Sequence, residues 1–302
     1  MPLCFYFRFK FEVKGLEVRK IAVLGAGLMG HGIAQVAAQF GKYEVSLRDI
    51  KQEFIDRGMG MIRDSLQRFL RKGVITEAEM NEVLARIHPT IDLREAVSDA
   101  DLIIEAIPEN VELKKATFSE VDSLAPSHAI IASNTSSISI TELASATNRP
   151  EKVCGMHFFN PPQLMKLVEI IRGAKTSDET IQTVRQVAEK MGKETVLVKK
   201  DCPGFIVNRI LIPALNEAVA LVWEGVADKE DIDKAIKLGL NWPMGPLTLL
   251  DYIGLDTTLA IAKVLESEID PKFHPCPLLR QMVRAKLLGR KTGKGFYDWT
   301  KK

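Results

Sequence analysis

Short apolar runs bounded by polar or turn-forming residues recur through the first two thirds of the chain. "IAVL" at 21–24, "YEVSLRD" at 43–49, "ADLIIEAI" at 100–107, "HAIIAS" at 128–133 and "VCGMHFF" at 153–159 each read as a strand. Stretches with helical spacing lie between the first of these runs. Alternating strands and helices predict a mostly parallel sheet covered on both faces, because each crossover must pass over the sheet. Beyond Pro203 and Gly204, which break the strand before them, the pattern changes. From Phe205 apolar positions recur every three and four residues up to Gly225. "DKEDIDKAIKLGL" follows, with Asp228 as N-cap and Gly239 past the end, and "GPLTLLDYIGLDTTLAIAKVLESE" reads as one more long helical region. No strand pattern occurs between 204 and 285.

The glycines make the first half more specific. "KIAVLGAGLMGHGIAQVAAQFG" places Gly25, Gly27 and Gly30 in G-x-G-x-x-G spacing between a strand and a helix rich in small residues. Gly25 suits a tight turn, Gly27 a close approach of backbone to a pyrophosphate, and Gly30 close packing of the helix whose N-terminus faces the phosphates. Gly41 reads as a left-handed helix end. Asp49 ends the second strand about 20 residues on, where an acid binds the adenosine ribose. A carboxylate there opposes a 2′-phosphate and favours NAD over NADP, with Arg48 and Lys51 as opposing charges beside it. The alternative for Asp49 is a helix N-cap. The expected fold is α/β: a Rossmann-type, mostly parallel sheet with a helical insertion, followed by a smaller all-α C-terminal domain. The expected boundaries are 1–18 for an N-terminal extension, 19–202 for the NAD-binding domain and 203–302 for the helical domain, which also suits a twofold interface.

In such a sheet ligands bind beyond the carboxyl ends of the strands. "PEN" at 108–110, "SNTSS" at 133–137 and "HFFN" at 157–160 all lie at such ends and converge on one crevice. "HFFNPPQLMKLVE" carries His157 and Glu169 at its two ends. They read either as a buried histidine satisfied by a carboxylate or as a proton-transfer pair on adjoining strands. The insertion at 50–88 has an apolar helical face of Ile62, Leu66, Phe69 and Leu70. Arg63, Arg68, Arg71 and Lys72 lie elsewhere on it, either as a solvated face or as a grip on a polyanionic substrate handle.

Composition narrows the partners. With Lys+Arg 41 against Asp+Glu 39, the formal net charge of +2 gives no reason to expect nucleic acid or a membrane surface as partner. Cys4, Cys154, Cys202 and Cys276 are widely spaced, which argues against a metal site or a disulfide framework and fits a reducing, cytoplasmic setting. "FYFRFKFEV" near the start alternates aromatic and charged residues. It reads as a short strand, either an extra edge strand or an upstream extension of the true start, and not as a signal peptide, since Arg8, Lys10 and Glu12 interrupt it.

Taken together, "GAGLMGHGIA", "EAIPEN", "SNTSS", "HFFNPP", "KLVEII", "PGFIVNR", "PMGPLTLLDYIGLDT" and "GRKTGKGFY" resemble the L-3-hydroxyacyl-CoA dehydrogenases in order and spacing, from Lys20 to about Trp299. The resemblance implies interconversion of (S)-3-hydroxyacyl-CoA and 3-oxoacyl-CoA with NAD, as in fatty-acid β-oxidation, by a cytoplasmic homodimer. It assigns His157 as catalytic base and Glu169 as the carboxylate that orients it. Ser136 and Asn208 correspond to residues that hydrogen-bond the reacting oxygen. Gly25, Gly27, Leu28, Met29, Gly30, Asp49, Glu109, Lys114, Ser136, Asn160 and Lys291 correspond to cofactor contacts, and Ser65 and Lys72 to coenzyme A contacts. A related L-gulonate 3-dehydrogenase or a lambda-crystallin-like protein would share the clamp and the His–Glu pair without needing the coenzyme A grip.

Overall fold

The computed structural model describes residues 16–300. The aromatic and charged run expected as a strand, and with it nearly all of the N-terminal extension, lies outside the described residues, as does Cys4. The chain forms two compact units that meet between Asp201 and Cys202.

The first unit runs β1 Lys20–Leu24, α1 Gly30–Gln39, β2 Glu44–Arg48, α2 Gln52–Arg71, α3 Glu77–Ala85, β3 Ile87–Thr90, α4 Leu93–Val97, β4 Leu102–Glu105, α5 Val111–Leu124, β5 Ile130–Ser133, α6 Ile140–Ala144, β6 Val153–Phe158, β7 Leu167–Ile171, α7 Asp178–Lys190 and β8 Glu194–Val198. Its sheet has the order β3-β2-β1-β4-β5-β6-β7-β8. All neighbouring pairs are parallel except β6 with β7. Every residue of β4, β5 and β6 is buried, as expected of central strands covered on both faces. After β1 the chain builds β2 and β3 on one side, then crosses to β4 on the other. The switch point therefore falls between the carboxyl ends of β1 and β4, where open sheets of this kind bind ligands.

One strand was not expected, and two local expectations are corrected. β3 had no apolar signature, because "IHPT" holds a proline and two exposed positions; it is an edge strand, where the missing N–H of Pro89 costs no ladder bond. Gly41 is not the left-handed residue after α1; Lys42 is, with φ 56°. A Cβ on Gly41 would lie 2.5 Å from the Tyr43 ring, so steric room is what demands glycine there. The long helical region after Gly245 is two helices, α10 Pro246–Ile253 and α11 Leu255–Glu268, broken at Gly254 with φ 99°.

The second unit is helical: α8 Val207–Trp223, α9 Lys229–Gly239, then α10 and α11, then α12 Pro277–Arg284. Leu215, Val219, Leu247, Leu250, Leu255 and Leu279 form the centre of its core. Two buried carboxylates fix the segment "GKGFYDW". Asp251 accepts the Phe296 and Tyr297 N–H groups and the Trp299 indole N–H at 2.8–2.9 Å, and Asp233 accepts the Tyr297 hydroxyl at 3.0 Å.

Candidate active site

The glycine loop closes over the switch point. Gly25 has φ +100°, and its N–H donates to the Arg48 carbonyl at 2.7 Å. A Cβ on Gly25 would meet the Ala106 carbonyl at 2.6 Å, so the loops after β1 and β4 are in backbone contact. A Cβ on Gly30 would lie 1.6 Å from the Gly25 carbonyl oxygen. Gly27 differs, because nothing lies within 4 Å of where its Cβ would be, and it and Leu28 are exposed while Gly25, Ala26 and Gly30 are buried. Half-buried Met29 is the N-cap of α1 and makes no side-chain cap, and the first turn of α1 holds no acid. An uncapped helix N-terminus beneath an open glycine is the arrangement that accepts a pyrophosphate. The residues present thus fit a dinucleotide.

Asp49 stands at the end of β2 and is not an N-cap; α2 begins after Lys51. One carboxylate oxygen accepts the Ala26 N–H at 2.7 Å and the other the Ile50 N–H at 2.7 Å. The acid is thereby held at the rim of the glycine loop. The inserted helix α2 also touches this loop: a Cβ on Gly58 would lie 2.7 Å from the Ala26 carbonyl. α2 buries Ile62, Ser65 and Leu66, half-buries Phe69 and Leu70, and leaves Arg63, Arg68, Arg71 and Lys72 exposed. Ser65 is thus on the inner face, with 4% exposure, and Lys72 on the outer end.

The three polar clusters meet in one hydrogen-bonded network. Glu109 accepts the Ser136 N–H at 3.1 Å, the Ser137 hydroxyl at 3.1 Å and the Thr135 hydroxyl. Asn134 accepts the Phe158 N–H at 2.9 Å, tying the loop after β5 to the strand that bears His157. Behind Glu109 stands Lys114, only 1% exposed, paired with Glu109 at 3.2 Å and with fully buried Glu105 at 2.6 Å. Burial pushes the Glu109 carboxyl up. The Lys114 ammonium and the hydrogen bonds from Thr135 and Ser136 outweigh it and hold the group below the ordinary carboxylate range. Lys114 is therefore an interior cation shared by two carboxylates, not a solvated surface charge.

His157 and Glu169 are directly opposite each other in the antiparallel β6–β7 pair. The imidazole Nδ1 lies 2.8 Å from Glu169 Oε2. His157 is 6% exposed and Glu169 fully buried, with the Phe159 ring 4.6 Å from the imidazole between centroids. The segment joining the two strands carries exposed Asn160, whose bond to Pro161 is cis. It lies on α1: a Cβ on Gly32 would sit 2.9 Å from Pro162, and the Gln163 amide donates to Gln35 at 3.1 Å. Buried Lys193 donates to the Pro162 and Met165 carbonyls at 2.5 and 2.8 Å. The histidine-bearing strand end and the dinucleotide helix are thus held side by side.

Asn208 and Lys291 belong to the second unit. Asn208 is half-buried in the first turn of α8. Lys291 forms an ion pair with Asp256. Sequence reasoning passed over Glu105, Asn134 and Lys193. Glu105 alone left a trace, as the one acid inside the apolar run "LIIEAI".

The chain resembles known proteins along nearly all of its length. Residues 20–202 match the family model described as 3-hydroxyacyl-CoA dehydrogenase, NAD binding domain, and residues 204–299 match the one described as 3-hydroxyacyl-CoA dehydrogenase, C-terminal domain. A probable 3-hydroxybutyryl-CoA dehydrogenase of Deinococcus radiodurans is 55% identical over 93% of this chain and 100% of that one. The mitochondrial hydroxyacyl-coenzyme A dehydrogenase of Homo sapiens is 42% identical, covering 95% of this chain and 93% of its own. The crystal structure of (S)-3-hydroxybutyryl-CoA dehydrogenase from Ralstonia eutropha superposes with a TM-score of 0.89 at 45% identity, over 94% of this chain and 100% of that one.

Proposed function

The chain belongs to the 3-hydroxyacyl-CoA dehydrogenase family and is an NAD-dependent oxidoreductase, and from that premise we propose that it interconverts (S)-3-hydroxyacyl-CoA and 3-oxoacyl-CoA with His157 as general base. The observation that carries the proposal is the register of β6 and β7, which sets His157 against a fully buried carboxylate at 2.8 Å. Nδ1 faces Glu169, so Nε2 is the atom that takes the proton of the 3-hydroxyl. The carboxylate fixes the tautomer and stabilises the imidazolium that forms. A dinucleotide held by the glycine loop and Asp49 would supply the acceptor for the hydride of C3. Ser136 and Asn208 are assigned to the reacting oxygen, where hydrogen bonds gain strength as its charge changes. In the reverse direction the imidazolium returns the proton to the forming alkoxide.

Gly25, Gly27, Leu28, Met29, Gly30 and Asp49 form the proposed dinucleotide clamp, with Glu109, Asn160 and Lys291 as further contacts. The ammonium of Lys114 is turned towards Glu105 and Glu109, so its effect on the cofactor passes through Glu109. On α2, Lys72 is proposed to hold a coenzyme A phosphate among the exposed arginines, with Ser65 two turns before it on the inner face. A second copy of the chain is the proposed partner of the exposed apolar side chains Ile210, Val226, Leu238 and Leu240 of the helical unit; a monomeric mass by light scattering would refute it. The proposed setting is the cytoplasm. Among the described residues no helix is long and apolar enough to cross a membrane.

The direct test follows NADH absorbance with acetoacetyl-CoA, beside oxidation of free gulonate with NAD. Turnover of the thioester is expected and none of gulonate; the opposite result assigns the clamp to a sugar-acid dehydrogenase. In the same assay NADPH should give the lower kcat/KM, because its 2′-phosphate would face Asp49. Equal or better kcat/KM with NADPH would remove that role from Asp49.

Lys72→Ala should raise KM for acetoacetyl-CoA and leave kcat nearly unchanged, since phosphate oxygens distant from C3 do not change during the reaction. A truncated thioester lacking the nucleotide should not register the substitution. An equal effect on both substrates would return Lys72 to the solvated face.

A further inference from the structure

We propose that Glu105, at the carboxyl end of β4, is a positioning residue that sets Ser136 through Lys114 and Glu109. The inference deepens the proposed function and rests on the role given there to Ser136.

A fully buried carboxylate is expensive unless its lone pairs are met. Those of Glu105 are met from the segment beyond β4, including α5, and from the end of β5. Oε1 accepts the Lys114 ammonium at 2.6 Å and the Ile107 N–H at 2.7 Å, both beyond β4. Oε2 accepts the Ser133 hydroxyl at 2.6 Å, at the end of β5, and the Ser133 oxygen in turn accepts the Thr135 N–H at 3.1 Å. The Lys114 ammonium goes on to Glu109 at 3.2 Å and to the Ile107 carbonyl at 3.3 Å. Glu109 then holds the Ser136 N–H at 3.1 Å. Two routes therefore run from one buried carboxylate to the segment that carries Ser136. One passes through Ser133 and Thr135, the other through Lys114 and Glu109.

The charge count explains why the interior member matters. One ammonium serves two carboxylates. Glu105 holds it inside, so Glu109 is left free to share its other oxygen with the Ser136 loop. With a neutral residue at position 105, the buried ammonium has a single charged partner and draws Glu109 inwards, away from the Ser136 N–H. A buried ion pair is weak evidence for stability, since an apolar pair of similar volume often serves as well. A network that ends on a proposed oxygen-binding loop has a further effect, because reaction rates are sensitive to displacements of about 1 Å.

The experiment is a double-mutant cycle on kcat at saturating NADH and acetoacetyl-CoA, with the active fraction determined by NADH titration. Glu105→Gln should lower kcat by roughly 10–100-fold, and Ser136→Ala should lower it too. The combined variant should be close to the worse single one, because both act on the same contact. A merely structural Glu105 would lower the melting temperature and the active fraction while leaving the kcat of the active fraction intact. Where Glu105→Gln fails to fold, Glu105→Gln/Lys114→Met leaves no unpaired interior charge; Glu109 then loses its inner anchor, so turnover should again fall without adding to Ser136→Ala. Wild-type kcat in either folded variant, or full additivity with Ser136→Ala, would overturn the inference while the role of Ser136 stands. A Ser136→Ala enzyme at the wild-type rate would instead overturn that role, and this inference with it.

Discussion

His157→Ala is expected to slow the reduction of acetoacetyl-CoA by about 10²–10⁴ in kcat, the range for loss of a positioned acid–base group. NADH affinity, read by fluorescence titration, should hardly change, because the glycine loop and Asp49 are on other strands. Glu169→Gln keeps the shape of the side chain and removes the charge that stabilises the imidazolium. It should also cost rate, by a smaller factor. If histidine and carboxylate act as one unit, His157→Ala/Glu169→Gln should be no slower than His157→Ala alone. Stability separates from rate in the same set. Alanine at 157 leaves a fully buried carboxylate without the imidazole opposite it, and a buried charge that loses a partner is destabilising. The double variant should recover melting temperature and recover no activity. A folded His157→Ala protein that binds NADH and turns over near the wild-type rate would make the pair a satisfied core histidine, the bland reading that its burial alone allows.

What the sequence showed and what it hid divide along the range of the interactions involved. The glycine loop and the main strands are local features, set by turn chemistry and short apolar runs, and they stand where the pattern put them. The adjoining-strand reading of "HFFNPPQLMKLVE" was within reach because the segment is short enough to form an antiparallel pair. The direct opposition of His157 and Glu169 depends on a register that the pattern does not state. β3 was hidden because an edge strand needs no apolar run. The break at Gly254 was hidden because a single glycine inside an apolar helical pattern is ordinary. At the crevice, the strand-end rule brought "PEN", "SNTSS" and "HFFN" to one place without telling which atoms would join. Glu109 and Lys114 were expected side by side as cofactor contacts, and only the ion pair to buried Glu105 shows Lys114 to be interior. Glu105 looked like any acid before a turn; its burial is set by β1 and β5 on either side, which lie far away in sequence.

Gly27 and Gly30, three residues apart in one motif, should fail in opposite ways when given a methyl group. At Gly30 the added Cβ would fall 1.6 Å from the Gly25 carbonyl oxygen and 2.8 Å from its carbonyl carbon, both backbone atoms. The Gly25 turn cannot easily move aside, since its N–H is bonded to the Arg48 carbonyl at 2.7 Å and its own Cα faces the Ala106 carbonyl. Gly30→Ala should therefore cost about 3 kcal/mol or more, at the upper end of overpacking effects, and should be seen first as a lower melting temperature in the absence of cofactor. At Gly27 the methyl meets no protein atom within 4 Å. Gly27→Ala should fold with a melting temperature close to wild type. The space it fills is the mouth above the α1 N-terminus, where the backbone must approach a pyrophosphate. NADH affinity should fall by about tenfold or more, which corresponds to about 1.4 kcal/mol, and kcat at saturating NADH should fall less than affinity. Calorimetric melting and NADH titration on the two variants separate the roles. A Gly27→Ala protein that binds NADH as tightly as wild type would place the pyrophosphate elsewhere. A Gly30→Ala protein as stable as wild type would show that the loop can shift enough to relieve a backbone clash at 1.6 Å, and that Gly30 is not needed to close it.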